Sequence, residues 1–494
     1  MSSNRIHDVV IVGAGIAGLG MGIRLARAGR DDFVILERAD DVGGTWRDNV
    51  YPGVACDIPS HLYEYSFLPK ADWARRFATG GELHEYLRAA ARDEGLRPHL
   101  RLDTPLDGAR WDADARCWRL ETGSGGLAAR ALVLAAGRLS EPRIPVVPGL
   151  DTFVGNAFHS ARWRAGSLAG LRVGVVGTGA SAVQIVPEVA REAASVVVFQ
   201  RTPAWVLPRG DRAYEAEEPR PTRAALSAEA EQLFAARIAD SRPAAALEAR
   251  AREHLHRQVA DPGLRARLTP DYAIGCKRAV FSDDYLPALQ LPHVTLEPTE
   301  LAAVEPGAAV AASGARHAVD VLVFATGFET TRPPFARLVT GRGETLAQHW
   351  AHGMTSHAST VVSGFPNMFV LDGPNSALGH HSAFEVIEAQ IDYVLGALEY
   401  IAAGLRPLEV TAAAEAAYTA LIDELADRTV WKRGGCASWY LDEDSHRLTL
   451  LWPERAGLFR RVNGTFDPRP FEPAPCGLGP CDADPAEIGA RVPV

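Results

Sequence analysis

The sequence predicts an α/β fold made of two parallel-sheet units, each entered by a strand, a glycine turn and a helix, with a helical insertion in the second. Three observations predict it. Gly13-x-Gly15-x-x-Gly18 follows the apolar run DVVIV at 8–12. Gly177-x-Gly179-x-x-Ala182 lies inside LRVGVVGTGASAVQIVPEVA at 171–190 and repeats the pattern. Residues 211–271 then turn rich in Ala, Glu and Arg with helical periodicity.

DVVIV suits a buried parallel strand. IAGLGMGIRLARAG has helical spacing, and FVILE at 33–37 reads as the second strand. This order is what the Rossmann-like dinucleotide fingerprint requires. Gly13 permits the tight turn, Gly15 lets backbone approach a pyrophosphate, and Gly18 lets helix and strand pack closely. The helix N-terminus turns its partial positive charge to the phosphates. Glu37 ends the second strand, where a carboxylate takes ribose hydroxyls.

The next stretch, GGTWRDNVYPGVACD, has a Gly43-Gly44 pair suited to a loop passing close to a cofactor. LVLAAG at 132–137 predicts a strand returning to the first sheet, and ATGF at 325–328 after DVLVF repeats the pattern. These segments mark the crossings between units. The first unit is therefore discontinuous, roughly 1–145 plus 328–494, and the second spans 146–327 with the helical insertion at 211–271. In the second unit Ala182 replaces the third glycine, a permitted small residue. Its second strand, SVVVF, runs into Gln200-Arg201-Thr202, with no carboxylate where an NAD site places one. A guanidinium at Arg201 can pair bidentately with a 2′-phosphate, which predicts NADPH over NADH. GPNSALGHHSAFEVIEAQIDYVLGAL at 373–398 predicts a loop and an amphipathic helix. His380 and His381 have no partner at ligand spacing, so no metal is expected.

A chain of 494 residues exceeds what one core usually supports. Its composition, 47% apolar and 23% charged, is that of a soluble globular protein. The net charge of -10 argues against nucleic acid as a partner. No apolar run approaches the ~20 residues of a membrane span, and the start lacks the regions of a signal peptide, so a cytoplasmic protein is expected. Unpaired thiols are then the expectation for the six cysteines, Cys56, Cys117, Cys276, Cys436, Cys476 and Cys481. The last two flank Gly-Leu-Gly-Pro with no second ligand pair after them. They lie in a Pro-, Ala- and Asp-rich tail of ~25 residues that is expected to be weakly ordered.

Between the two glycine turns lies FVGNAFHSARW, or Phe153-x-Gly155-x-x-x-His159-x-x-x-Trp163. Two dinucleotide fingerprints joined by this connector resemble the Baeyer–Villiger monooxygenases, class B flavoprotein monooxygenases of the flavin-containing monooxygenase superfamily. The resemblance covers nearly the whole chain. It implies FAD in the first unit, NADPH in the second, and dioxygen with a ketone or thioether as substrates. By resemblance, Gly13, Gly15, Gly18, Glu37, Gly44, Thr45, Trp46, Asp57 and Tyr63 bind FAD. Thr178, Gly179, Ala180, Ser181, Ala182, Gln184, Arg201, Thr202, Lys277 and Trp439 bind NADP. Trp439 lies in GGCASWYLDED, which resembles the family's mobile segment.

The implied reaction converts a ketone to an ester or lactone through an anionic C4a-peroxyflavin. Arg278, in YAIGCKRAVFSDDYLPAL, is the implied stabilising cation in a water-excluded pocket, with Asp57 holding it. His159 is implied to couple domain movement and is assigned no proton transfer. Trp163 separates the chain from the N-hydroxylating and microsomal-type relatives, whereas Arg164 departs from the Pro or Asp common after it. Two alternatives stay open. One is S- or N-oxygenation, and the other is a flavin oxidoreductase that inserts no oxygen. A disulfide reductase of the same two-nucleotide architecture is disfavoured, since the only close cysteine pair lies in the tail.

Overall fold

A computed structural model describes residues 5–473 apart from Ala216 and residues 405–406. The tail with Cys476 and Cys481 lies outside the described residues.

The Ile6–Val12 strand sits inside an eight-stranded sheet. It runs parallel to Phe33–Leu36, with Val9 opposite Phe33, and parallel to Gly125–Leu134 on its other side. An antiparallel pair, Leu106–Asp112 and Cys117–Thr122, extends the sheet beyond Gly125–Leu134. Met368–Val370 pairs with the end of Gly125–Leu134, so the chain comes back to this sheet late. The second sheet is five-stranded and wholly parallel, in the order Val294–Glu297, Ser195–Phe199, Arg172–Val176, Val321–Phe324, Asn156–His159. Its central strands are runs of buried Val, Leu and Phe, as a sheet covered on both faces demands.

Each sheet has its glycine turn and helix. Ile16–Arg27 buries Leu19, Met21, Ile23 and Leu25, and shares a core with the Ala383–Ala402 helix. Ala180–Glu192 does the same for the second sheet. The two turns are twins in the way they lean on the crossing segments. Gly13 has φ +106, and a Cβ there would lie 2.4 Å from the Ala135 carbonyl oxygen. Gly177 has φ +116, and its Cβ would lie 2.6 Å from the Ala325 carbonyl oxygen. Only glycine fits either place.

The 211–271 stretch contains the helices Arg223–Gln232, Arg242–Gln258 and Pro262–Leu268. Thr222, Ser241 and Asp261 cap them with side-chain oxygens. The helical pattern of AALSAEAEQLFAARIADSR does not run through. It tightens into a 3₁₀ turn at Leu233–Arg237, after which Ile238 bridges to Thr429 in extended form. Tertiary contact overrides propensity here: Phe234 is buried, and Arg237 donates to the Gly379 carbonyl at 2.9 Å.

The expectation of unpaired thiols is corrected. Cys276 and Cys436 form a disulfide across 160 residues, with Cα atoms 6.2 Å apart. Spacing could not reveal it, because two loops of unrelated position meet only once the fold is built. Cys56 and Cys117 are buried and free. Among the described residues no helix is long and apolar enough to cross a membrane.

Candidate functional site

A cleft of about 1790 Å³ runs along both glycine turns. Gly13, Gly15 and Glu37 line it from the first sheet, and Thr178, Gly179 and Ala180 from the second. Gly18 and Ala182 do not reach it. A Cβ on Gly18 would strike the Gly13 carbonyl oxygen at 1.8 Å, and Ala182 is buried under its helix. Their part is packing, which is the part small residues at that position play.

Glu37 is fixed at the mouth of the first turn. One carboxylate oxygen accepts from the Ala14 N–H at 2.9 Å. The other accepts from the Ala39 N–H at 3.0 Å and pairs with Arg47 at 3.0 Å. A carboxylate has about four acceptor sites, so capacity remains for ligand hydroxyls. Burial works against the charge of Arg47, but Glu37 and Asp48 carry its pKa upward overall. Gly44 and Thr45 open the short helix Thr45–Asp48 beside this mouth. Trp46 meets Tyr63 edge-on at 5.6 Å, and Tyr63 meets Phe384 at 5.0 Å. Trp46 Nε1 and one Arg138 amino group are buried donors without a protein partner. A glycine cradle, an anchored carboxylate, an aromatic wall and orphan donors fit a bound dinucleotide.

The second half holds cations. Arg201 is exposed and Lys277 half-buried, with Lys277 Nζ 5.2 Å from the Tyr272 ring centre. Burial and the nearby charge of Arg201 push the Lys277 pKa down. The Asp271 carboxylate opposes this shift without cancelling it. The Thr178 hydroxyl donates to the Thr202 carbonyl at 2.7 Å and ties the turn to the strand end. Ser181 lines the cleft in the first turn of its helix. Gln184 is held by protein: it donates to the Ala55 carbonyl at 2.9 Å and accepts from the Tyr51 hydroxyl at 3.0 Å. It thereby joins the second unit to the 43–57 loop. Trp439 is 42% exposed at the cleft, its ring 4.3 Å from that of Tyr440.

Arg278 meets Asp57 where these walls converge. Its Nη2 lies 2.8 and 2.7 Å from the two carboxylate oxygens, and its Nε donates at 3.2 Å. Asp57 drives the pKa of Arg278 further up, so the cation persists at any working pH. A third of the side chain (34%) is open, so the guanidinium still faces the cleft. Behind it stand groups that motif reading passed over. Burial raises the Tyr440 hydroxyl while Arg278 and Arg237 pull it down. Burial lowers Arg237 to about 10. Arg138 pairs with Asp372, and burial raises the latter's carboxyl. Arg47 and Arg138 sat beside recognised motifs, in GGTWRD and after LVLAAG, and that adjacency was the available signal.

The connector residues do not line the cleft. A Cβ on Gly155 would lie 2.3 Å from the Asp320 carbonyl oxygen, so the chain passes there only as glycine. Phe153 packs at the edge of the second sheet's core, and Trp163 meets Phe158 edge-on at 5.2 Å. His159 pairs with Phe324 at the crossing, accepts from the Ala161 N–H at 3.1 Å and is 1% exposed. Burial holds its pKa down at about 4, against an ordinary 6.5. The buried ring is neutral, so its contribution is complete above pH 6.5 and is lost as pH falls toward 4. Urea denaturation is expected to lose up to about 3 kcal/mol of stability over that window. His159→Gln should flatten the slope, and an unchanged slope contradicts the assignment.

The family model described as flavin-binding monooxygenase-like matches residues 6–341. A Baeyer–Villiger monooxygenase of Streptomyces coelicolor is 43% identical, the match covering 99% of each chain. A Baeyer–Villiger monooxygenase of Pseudomonas aeruginosa is 40% identical over 94% of this chain and 90% of its own. The crystal structure of OTEMO in complex with FAD and NADP superposes with a TM-score of 0.83 at 27% identity, covering 92% of this chain and 96% of that one. With two glycine turns facing one cleft and relatives alike over their full length, the chain belongs to the flavin-binding monooxygenase-like family, on its Baeyer–Villiger monooxygenase branch.

Proposed function

We propose that this protein binds FAD in the first half of the cleft and NADPH in the second, and uses dioxygen to convert a ketone to an ester or lactone. When bound and reduced by NADPH, FAD supplies the activated oxygen. The residues do the rest. Glu37 takes ribose hydroxyls, with the Ile16–Arg27 helix N-terminus behind the phosphates. Thr45, Trp46 and Tyr63 line the pocket beside them. Arg201 and Lys277 receive the 2′-phosphate as a pair of mutually repelling cations that Asp271 offsets only in part, and Thr202 closes that end. Trp439 covers the nicotinamide side.

Arg278 is the catalytic cation. Asp57 grips it from one side and leaves its open face to the cleft, so its N–H groups are aimed before charge develops on the reacting oxygens. Its raised pKa keeps it a donor and prevents it from acting as a base. That oriented guanidinium carries the reading: a developing anion is stabilised only by a donor already in place. His159, buried and neutral, serves the crossing between units and moves no proton. The Ala383–Ala402 helix contributes Ala383 and Ile387 to the wall, so its N-terminal turn would favour negative charge on a flavin held there.

A panel of cyclic, linear, aromatic and steroid ketones, with thioethers beside them, tests the reading by product mass. Gain of one oxygen with ester or lactone fragments is expected from at least one ketone class. Sulfoxide alone, or NADPH oxidation with no oxygenated product, contradicts it.

A further inference from the structure

We propose that Cys276 and Cys436 form a redox-reversible tether that keeps the 435–441 segment docked on the cleft, an inference that rests on the nicotinamide reading above. Cys276 is wholly buried and directly precedes Lys277 and Arg278. Cys436 is partly exposed, lines the cleft and stands shortly before Trp439 and Tyr440. One covalent bond thus joins the turn that carries two of the cleft's cations to the segment that carries Trp439 and Tyr440.

Little else holds that segment. Gly434 is tied by the Ala273 N–H at 3.0 Å, and Tyr440 is anchored by burial. Between them, Gly435, Ala437 and Trp439 are exposed. Among the described residues no backbone N–H from 435 to 439 donates a hydrogen bond. Besides the disulfide, the stretch bearing Trp439 is held by the 4.3 Å ring contact with Tyr440 and by the Tyr440 and Leu441 N–H groups donating to Ser438 at 3.3 and 3.2 Å, with no ladder to add to these.

The pair is also the reactive one among the described cysteines. Cys56 and Cys117 are buried, and burial pushes both thiols up, so they carry little thiolate. Cys56 and Cys436 both line the cleft, but Cys56 is buried, whereas Cys436 is partly exposed. A hydroperoxide is the oxidant, and hydrogen peroxide is what a flavin oxygenase releases when NADPH oxidation outruns oxygenation. The Cys436 thiolate attacks one peroxide oxygen, the O–O bond breaks, and one water leaves with a proton taken from solvent. The resulting sulfenic acid is attacked by the Cys276 thiolate, forming the S–S bond and releasing the second water. Two thiols are oxidised and one peroxide is reduced. A small dithiol reverses the step through a mixed disulfide. Peroxide made by wasteful turnover would then fasten the cover over the nucleotide. Within reducing compartments, such a bond belongs to redox sensing rather than to structure.

The test uses the full-length FAD-loaded enzyme after treatment with hydrogen peroxide or with dithiothreitol. Alkylation mass spectrometry should find two fewer free thiols and a linked Cys276–Cys436 peptide in the oxidised sample. NADP+ titration should give several-fold tighter binding to the oxidised form. Cys276→Ser and Cys436→Ser should each bind NADP+ like the reduced wild type and ignore dithiothreitol. Limited proteolysis should cut between Gly435 and Trp439 faster in the reduced enzyme, a readout that needs no nucleotide. Cys276 and Cys436 thiols that stay alkylatable through peroxide treatment, or equal cleavage in both states, overturn the tether. Equal NADP+ affinity in both states overturns its role over the nucleotide. Failure of NADP+ to bind either form counts against the nicotinamide reading, and proteolysis then still judges the tether.

Discussion

Replacing Arg278 by alanine is expected to lower ketone oxygenation by about 100–1000-fold, the usual cost of removing one preorganised donor to a developing anion. The loss should fall on oxygen transfer rather than on cofactor retention. Arg278 is hydrogen-bonded to Asp57, whereas Glu37, the proposed ribose anchor, is held by the Ala14 and Ala39 N–H groups and does not depend on it. Flavin absorbance of the purified variant should therefore match that of the wild type. NADPH should still be consumed, with hydrogen peroxide as the product in place of ester. Arg278→Lys should recover only part of the rate. It keeps the charge, but an ammonium cannot reproduce the three contacts at 2.7, 2.8 and 3.2 Å that lock the guanidinium on Asp57. Ester formation within a few-fold of wild type in the alanine variant contradicts the assignment.

Arg201→Ala should raise the KM for NADPH far more than that for NADH. A charge-assisted hydrogen bond to a phosphate is worth about 1.5–3 kcal/mol, or about 10–100-fold. NADH has no 2′-phosphate to lose that contact. Arg201 and Lys277 repel one another in one region, and Asp271 offsets this too little to keep the Lys277 pKa from falling, a condition that a bound dianion relieves. Lys277→Ala should add to the effect, though less than additively, since both side chains serve one ligand group. Steady-state kinetics with both nucleotides measures this. Equal changes in the two KM values remove the assignment.

The two glycine turns were legible because their chemistry is local. A strand, a turn of positive φ and a helix N-terminus are set by residues within one short window, so Gly13 and Gly177 could be read without a fold. The parallel sheets followed from uninterrupted apolar runs, and the crossings from the repeated LVLAAG and LVFATGF patterns. Arg278 is different. Its nearness to Asp57, across 221 residues of chain, has no local signature, and only family resemblance paired them. No such guide existed for Arg138 with Asp372, or for Cys276 with Cys436. These pairs are products of topology: the chain leaves the first sheet, builds the second and comes back. The break after Gln232 was hidden for the same reason, since Ala- and Glu-rich sequence favours helix until a contact with residues near 379 and 429 ends it.

The most direct measurement is the fate of ¹⁸O-labelled dioxygen during turnover with NADPH and a reactive ketone, followed in the wild type and in Arg278→Ala. One labelled oxygen in the ester per NADPH consumed by the wild type, falling to label in hydrogen peroxide and water in the variant, is the predicted result. Labelled ester formed equally by both proteins, or by neither while NADPH is still oxidised, would contradict the role given to the Arg278–Asp57 pair.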